Sequence, residues 1–233
     1  MDHWDPAFVN PLAAQRPIVL IDNSGIGRSS GESPETVAAM AQVYIDAIRA
    51  IGLSQADLLG FSLGGAVAQM AALNAPTLIR RLVLCGTIPS YGEGVVSTER
   101  HFLQDSSDPR ATVKLLVNSH GRELRKLDPT VPHFLTSNSA NKQAAAFSQF
   151  MNPDEAKDGS YNRLDEVQMP VLIMGASDDI LMPTDNSILI WKKLRNHAGR
   201  LHLFPDSGHG FLFQHAKSAA VLVNAFLDSD VEN

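Results

Sequence analysis

Short apolar runs alternate with helical patterns along this chain, and this alternation limits its fold more than any other feature. Each run is too short for a buried helix and apolar enough for a strand that is covered on both faces. Strands that alternate with helices form parallel sheets, so we predict an α/β fold, a mostly parallel sheet with flanking helices. The predicted strands are residues 18–21, 57–61, 82–85, 171–174 and 201–204.

Three segments have the periodicity of amphipathic helices. The clearest one spans residues 33–52, where Ser33 is the expected N-cap, Pro34 the first helical residue and Gly52 the stop. Its apolar side chains recur every three or four residues and therefore share one face of the helix. The other two predicted helices are residues 183–194 and 217–227.

The segment from residue 89 to residue 165 interrupts this alternation. It holds polar and charged helical stretches and several prolines, but no clear strand. Because structureless connections of this length are uncommon in compact domains, we expect a mostly helical lid over one end of the sheet. Residues 1–88 and 166–233 would then form the core domain. A long irregular connection is the alternative for the inserted segment.

A Gly-x-Ser-x-Gly pentapeptide lies where the second apolar run meets a helical pattern. A serine hydroxyl attacks a carbonyl efficiently only when it is held in place and given a base. A sharp turn between a strand and a helix can hold Ser62 in this way, provided that Gly60 and Gly64 leave room around it. The N–H of Leu63 would then donate a hydrogen bond to an oxyanion. The alternative is a glycine-rich turn whose serine has no chemical role.

Two loops later in the chain offer a base and an acid for such a serine. Among eight histidines, only His209 lies in a glycine-flanked loop directly after a predicted strand. Asp178 and Asp179 follow the fourth apolar run, and a carboxylate at that place can orient an imidazole. The alternatives are a turn histidine without a role and an aspartate that caps the helix near Pro183.

These motifs together resemble those of the α/β-hydrolase family. The similarity extends over nearly the whole chain, and residues 89–165 correspond to the variable lid of that family. The early turn that begins at Asp22 has a structural role by this resemblance. The similar segments are GFSLGG at the nucleophile elbow (60–65), DNSGIGRS at the early turn (22–29), GASDDILMP at the acid loop (175–183) and PDSGHG at the histidine loop (205–210).

The resemblance implies a catalytic triad in the family's chain order: Ser62, an aspartate, then His209. Family members usually have G-x-x-D-x-x-x-P in the acid loop, but here the glycine and the proline are one residue too far apart. Counting from the glycine selects Asp178, and counting back from the proline selects Asp179. We favour Asp179 because the sequence DILMP is closer to the family's pattern.

The beginning of the chain departs from the family's pattern. Family members usually have two or three strands before the Asp22 turn, and the last of them leads into a His-Gly-type loop that donates a second oxyanion hydrogen bond. No such strand precedes Ile18, so we expect a fragment or a natural short form in which only Leu63 serves the oxyanion. One lost donor typically slows acyl transfer by about 10²–10³-fold. An unpaired sheet edge should also favour self-association, for example as a homodimer.

Net charge and cysteine content limit the classes of partner and cofactor that we expect. The net charge of −6 has no block of like charges, which argues against nucleic acid and anionic membranes as partners. The single cysteine, Cys85, excludes a disulfide framework and a cysteine metal cluster, so we expect a reducing cytoplasm. The first residues have neither a basic start nor an apolar run of signal-peptide length, and no run of about 18 apolar residues occurs, so we expect neither a signal peptide nor a membrane-spanning helix. We expect neither a metal nor an organic cofactor.

The resemblance implies a serine hydrolase that acts on small carboxylic esters or related acyl compounds. In this hypothesis Ser62 attacks the substrate, His209 acts as general base and then acid, and Asp179 orients His209. Lactonase, amidase, carbon–carbon hydrolase and perhydrolase activities stay open on the same scaffold. The alternative from another class is a non-catalytic or weakly active binding protein of this fold.

Overall fold

The computed structural model of the protein describes residues 4–91, 137–152, 154, 159–194 and 199–229. All three predicted amphipathic helices and four of the five predicted strands are present in it. The elements in chain order are α1 (Pro6–Ala13), α2 (Val37–Ala50), β1 (Ala56–Phe61), α3 (Leu63–Asn74), β2 (Ile79–Cys85), α4 (Ser137–Phe150), a 3₁₀ helix (Tyr161–Glu166), β3 (Val171–Ala176), α5 (Asp185–Lys193), β4 (Gly199–Phe204), α6 (Phe211–Gln214) and α7 (Ala216–Asp228).

The described strands form one parallel sheet in the order β1-β2-β3-β4. Side chains along β2 alternate between two core layers, because successive residues of a strand point to opposite faces. Leu82 and Leu84 belong to the layer formed with α2, α3 and α5. Val83 and Cys85 belong to the layer formed with α1, α6 and α7. Helices therefore cover both faces of the sheet, which confirms the predicted α/β architecture.

The predicted strand at residues 18–21 is wrong. Residues 17–23 have no regular secondary structure, and the described sheet ends at β1. Residues 18–21 line a cavity on the far side of β1 instead of pairing with it. A strand requires a hydrogen-bonding neighbour as well as an apolar sequence, and the described part of the chain places no strand beside this run.

Helix α2 begins later than predicted. Its N-cap is Thr36, whose hydroxyl oxygen accepts a hydrogen bond from the Ala39 N–H at 3.0 Å, so Ser33 is not the cap. Ser33 is buried instead, at 6% exposure. The predicted stop is confirmed, because Gly52 directly follows the C-cap and has a φ of +80°, a conformation that glycine adopts without strain.

The predicted lid falls largely outside the described residues, as do Phe102 and Phe134 within it. Its described part contains α4, and the side chains that end α4 join a small apolar cluster beside the acid loop. In that cluster Met151 packs with Ile88 and Met182. The division of the chain into a core domain and a lid stays a prediction.

Candidate active site

Ser62 lies in a sharp turn between the end of β1 and the start of α3. Its backbone has φ 55° and ψ −122°, a conformation that costs a non-glycine residue about 1–3 kcal/mol. Two hydrogen bonds hold the turn. The Ser62 N–H donates to the Cys85 carbonyl oxygen at 2.9 Å, and the Thr87 hydroxyl donates to the Ser62 carbonyl oxygen at 2.8 Å.

Two glycines make this turn sterically feasible, but they are not the pair expected from the pentapeptide. A Cβ on Gly60 would lie 2.2 Å from the Gly64 carbonyl oxygen, so Gly60 is required as predicted. A Cβ on Gly64 would meet nothing within 4 Å, so the expected need for Gly64 is wrong. Gly65 is the second glycine that the turn requires, because an added Cβ would be 2.5 Å from the Thr87 side chain. Close packing of α3 against the end of β2 therefore depends on Gly65.

The structure brings Ser62, Asp179 and His209 into one line of hydrogen bonds. His209 Nδ1 lies 2.8 Å from Asp179 Oδ2, and His209 Nε2 lies 3.0 Å from Ser62 Oγ. An ionised carboxylate can only accept hydrogen bonds, so Nδ1 carries the proton and Nε2 is left as an acceptor for the Ser62 hydroxyl. His209 and Asp179 are buried, whereas Ser62 is half-buried. The serine oxygen is thus the accessible end of the line.

The two adjacent aspartates have different surroundings. Asp179 directs one oxygen to His209, and its other oxygen accepts hydrogen bonds from the N–H groups of Leu181 and Met182 at 2.9 and 2.8 Å. Asp178 is exposed, and its carboxylate accepts a hydrogen bond from the Ser177 hydroxyl at 2.7 Å. The geometry therefore agrees with the choice of Asp179 as the partner of His209.

Residues that the motifs did not indicate hold the imidazole in position. The Phe61 ring packs against it with a centroid distance of 4.9 Å and an interplanar angle of 31°. Gly86 has a φ of +48°, and a Cβ there would be 3.2 Å from Phe211, 3.3 Å from Phe61 and 3.6 Å from His209. Gly86 and Thr87 directly follow β2. Their position at the carboxyl end of a parallel strand is the signal that could have found them, because such ends share one edge of the sheet.

Leu63, the predicted oxyanion donor, is the first residue of α3. The N–H groups of a helix's first turn have no acceptor within the helix, and the helix dipole places partial positive charge there. The Leu63 N–H is therefore next to the serine oxygen in the chain and at the positive end of α3. This arrangement suits the stabilisation of negative charge on an oxygen bound near Ser62.

The described residues contain no group of three or more His, Cys, Asp or Glu side chains that could hold a metal ion. Cys85 is fully buried, and this burial raises the pKa of its thiol far above the usual range. The thiol is therefore neutral and is not a nucleophile. Within the described ranges no helix combines the length and the hydropathy that crossing a membrane requires.

Comparison with known protein families identifies the fold. The model of the alpha/beta hydrolase fold matches residues 1–216 of the chain. The chain belongs to the alpha/beta hydrolase fold family. It is a hydrolase, which confirms the resemblance seen in the motifs.

Individual relatives of this α/β-hydrolase are distant. A protein of Rhizobium rhizogenes, RutD, named as a proposed carbamate hydrolase, is 29% identical over 80% of this chain and 73% of its own length. A poly(3-hydroxyalkanoate) depolymerase of Ectopseudomonas oleovorans is 25% identical over 96% of this chain and 79% of its own. Among solved structures, an alpha/beta hydrolase fold protein from Chitinophaga pinensis superposes with a TM-score of 0.86 at 28% identity. That similarity covers 98% of this chain and 85% of the Chitinophaga chain.

Proposed function

We propose that this α/β-hydrolase cleaves small carboxylic esters or related acyl compounds through a Ser62–His209–Asp179 triad. One observation carries the proposal: the unbroken hydrogen-bond line from the buried Asp179 carboxylate through His209 to the half-buried Ser62 hydroxyl. A nucleophile, a base that touches it and a group that orients the base are the parts that nucleophilic acyl transfer requires.

In the first half of the proposed reaction, Ser62 Oγ attacks the carbonyl carbon of the ester. His209 Nε2 takes the hydroxyl proton as the carbon–oxygen bond forms. Asp179 stabilises the resulting imidazolium across the 2.8 Å hydrogen bond without taking a proton itself. The Leu63 N–H donates to the oxyanion of the tetrahedral intermediate. The imidazolium then returns the proton to the departing alcohol, and Ser62 carries the acyl group.

In the second half, water repeats the attack on the acyl-enzyme. His209 Nε2 takes a proton from the water as its oxygen bonds to the acyl carbon, and the same proton goes to Ser62 Oγ when the ester bond breaks. The products are the carboxylic acid and the free enzyme. The triad therefore returns to its starting protonation state, and the reaction consumes no cofactor.

The substrate class in this proposal agrees with the chemistry that two relatives' names describe. A carbamate and a poly(3-hydroxyalkanoate) both contain an acyl carbon bonded to a heteroatom leaving group. Both can be cleaved by a serine nucleophile and a general acid. A carboxylic ester is the simplest substrate that shares this feature.

Hydrolysis of p-nitrophenyl acetate tests the proposed roles. Ser62→Ala and His209→Ala should each remove turnover and leave the fold intact, because neither side chain belongs to the apolar core layers. The double variant should be no slower than the single variants, because the triad acts as a unit. The measurement is kcat/KM with circular dichroism as the control for folding. Losses that add up in the double variant would contradict a shared mechanism.

A further inference from the structure

Thr87 lies just after β2, next to the turn that carries Ser62. It is buried, at 2% exposure, and its hydroxyl donates a hydrogen bond of 2.8 Å to the Ser62 carbonyl oxygen. The same oxygen accepts from the N–H groups of Gly65 at 2.9 Å and Ala66 at 3.4 Å. Bonds of that kind are what the first turn of a helix gives to the residue that caps it. The bond from Thr87 is an additional one, which the helix itself does not supply.

The Ser62 carbonyl and the Leu63 N–H belong to one peptide unit. In a planar trans peptide these two groups point in opposite directions. Donors that reach the Ser62 carbonyl oxygen therefore lie on one side of the peptide, and an acceptor of the Leu63 N–H lies on the other side. Leu63 is the first residue of α3, so its N–H has no acceptor within the helix.

The hydrogen bond from Thr87 changes the charge on the Leu63 N–H. Hydrogen bonds in a chain polarise one another, because a donor at a carbonyl oxygen draws electron density away from the nitrogen of the same peptide. The N–H then carries more positive charge and binds a negative oxygen more strongly. This polarisation is stronger where water is excluded, and Thr87 is buried.

The approach of Thr87 to this carbonyl depends on the absence of a side chain at position 65. A Cβ on Gly65 would be 2.6 Å from Thr87 Oγ1 and 2.5 Å from Thr87 Cβ. A larger residue at position 65 would therefore displace the hydroxyl from the Ser62 carbonyl oxygen. The chain provides both the donor and the space that the donor occupies.

We propose that Thr87 is a positioning residue for the oxyanion: its hydroxyl orients and polarises the Ser62–Leu63 peptide and so strengthens the Leu63 N–H as a donor. The inference rests on the proposed function, in which the Leu63 N–H stabilises the oxyanion. Thr87 acts only through this peptide and does not touch the reacting atoms. Strengthening by about 10–30%, in a bond worth about 10²–10³-fold in rate, corresponds to about a two- to eightfold effect on kcat.

Three substitutions separate the hydroxyl from the rest of the Thr87 side chain. Thr87→Val keeps the branched shape and removes the donor. Thr87→Ala removes the donor without placing a methyl group against the carbonyl oxygen, so it carries the test if the valine variant does not fold. Thr87→Ser keeps the donor. The matched control is Thr36→Val, which removes a threonine hydroxyl that bonds the backbone at the start of α2, outside the active site.

Turnover of p-nitrophenyl acetate tests the effect on the reaction. Thr87→Val and Thr87→Ala should lower kcat by about two- to eightfold with KM unchanged, because the oxyanion is absent from the ground state. Thr87→Ser should restore kcat, because it restores the hydroxyl. Thr36→Val should leave kcat unchanged, and circular dichroism is the control for folding in all four variants.

An NMR measurement tests the polarisation without a substrate. Ser62–Leu63 is the only Ser-Leu pair in the sequence, so a chain made by cell-free synthesis with 1-¹³C-serine and ¹⁵N-leucine gives a single HNCO cross-peak. A hydrogen bond to a carbonyl oxygen polarises the peptide and deshields both its carbon and its nitrogen. The cross-peak should therefore move upfield in Thr87→Val and Thr87→Ala and keep its position in Thr87→Ser and Thr36→Val.

Three results would overturn the proposal. They are a cross-peak that does not move upfield in Thr87→Val and Thr87→Ala, an equal movement in Thr87→Ser, and a kcat that these substitutions leave unchanged or a loss that falls on KM instead. Turnover that Ser62→Ala leaves unchanged would contradict the proposed function. Because the NMR measurement requires no turnover, the two failures are distinguishable.

Discussion

The carboxylate of Asp179 uses both of its oxygens, and that use distinguishes it from its neighbour. One oxygen accepts from His209 and the other from two backbone N–H groups. The backbone pair fixes the rotation of the carboxylate, and the fixed carboxylate then determines which tautomer His209 adopts. Asp178 has one side-chain hydrogen bond, to the exposed Ser177, and no contact with the imidazole among the described residues.

Exchanging each aspartate for asparagine separates these roles. Asp179→Asn should lower kcat on p-nitrophenyl acetate by about 10³–10⁴-fold, because an amide favours the wrong histidine tautomer. Asp178→Asn is the matched control and should change kcat by no more than about twofold, since an exposed side chain without a hydrogen bond to the imidazole does not orient the base. A larger loss in Asp178→Asn than in Asp179→Asn would identify Asp178 as the acid.

Backbone strain at Ser62 leads to a prediction about stability. A glycine at position 62 adopts the φ of 55° without a Cβ clash. We therefore expect Ser62→Gly to be more stable than Ser62→Ala by about 1 kcal/mol, although both variants lack the nucleophile. Urea denaturation of the two variants measures this difference. An alanine variant as stable as the glycine variant would show that the turn carries no strain.

Among the elements, a buried polar cluster ties helix α3 to the segment that follows β2 and to the start of the 3₁₀ helix. The Gln69 amide donates to the Ile88 carbonyl oxygen at 3.2 Å, and its oxygen accepts from the Ser160 hydroxyl at 2.8 Å. Ser90 and Tyr161 complete the cluster, because the Ser90 N–H donates to Ser160 and the Tyr161 N–H donates to Ser90. Residues 88–90, after β2, and residues 160–161, before β3, are thereby fixed to the helix that follows Ser62.

Removing the centre of this cluster should destabilise the fold. Gln69 is 0% exposed, so Gln69→Leu leaves a buried carbonyl and a buried hydroxyl without their partner, at a cost of about 2–4 kcal/mol in the free energy of unfolding. The matched control is Gln42→Leu on α2, an exposed glutamine that bonds only Asp46 among the described residues and should cost less than about 0.5 kcal/mol. Urea denaturation measures the free energy of unfolding of both variants. Similar losses of stability would mean that the buried cluster contributes no more than an exposed hydrogen bond.

At the scale of the whole molecule, the elements that carry the site were predictable from sequence. In a parallel sheet all strands present their carboxyl ends at one edge, so the loops after β1, β3 and β4 had to meet there. Ser62 and His209 could be selected on that basis, because each follows an apolar run in a glycine-rich loop. Residue counting favoured Asp179 over Asp178. Which of the two carboxylates faces His209 depends on the conformation of the acid loop, and counting does not report that conformation.

The features that sequence did not predict depend on contacts between distant parts of the chain. Residues 18–21 have the composition of a strand, but strand formation depends on a neighbour that local sequence does not report. Thr87 contacts the turn at Ser62 from 25 residues away, and no motif links the two positions. Ser33 and Thr36 both suit a helix N-cap, and tertiary packing buries the first and leaves the second to cap α2.

The proposed function requires Ser62 to be an activated nucleophile, and labelling with a biotinylated fluorophosphonate measures that reactivity without a substrate. We predict that mass spectrometry finds the probe on the tryptic peptide of residues 50–80, at Ser62, and that His209→Ala abolishes this labelling. A folded chain that is not labelled, or one labelled at another serine, would contradict the role of Ser62 as the nucleophile.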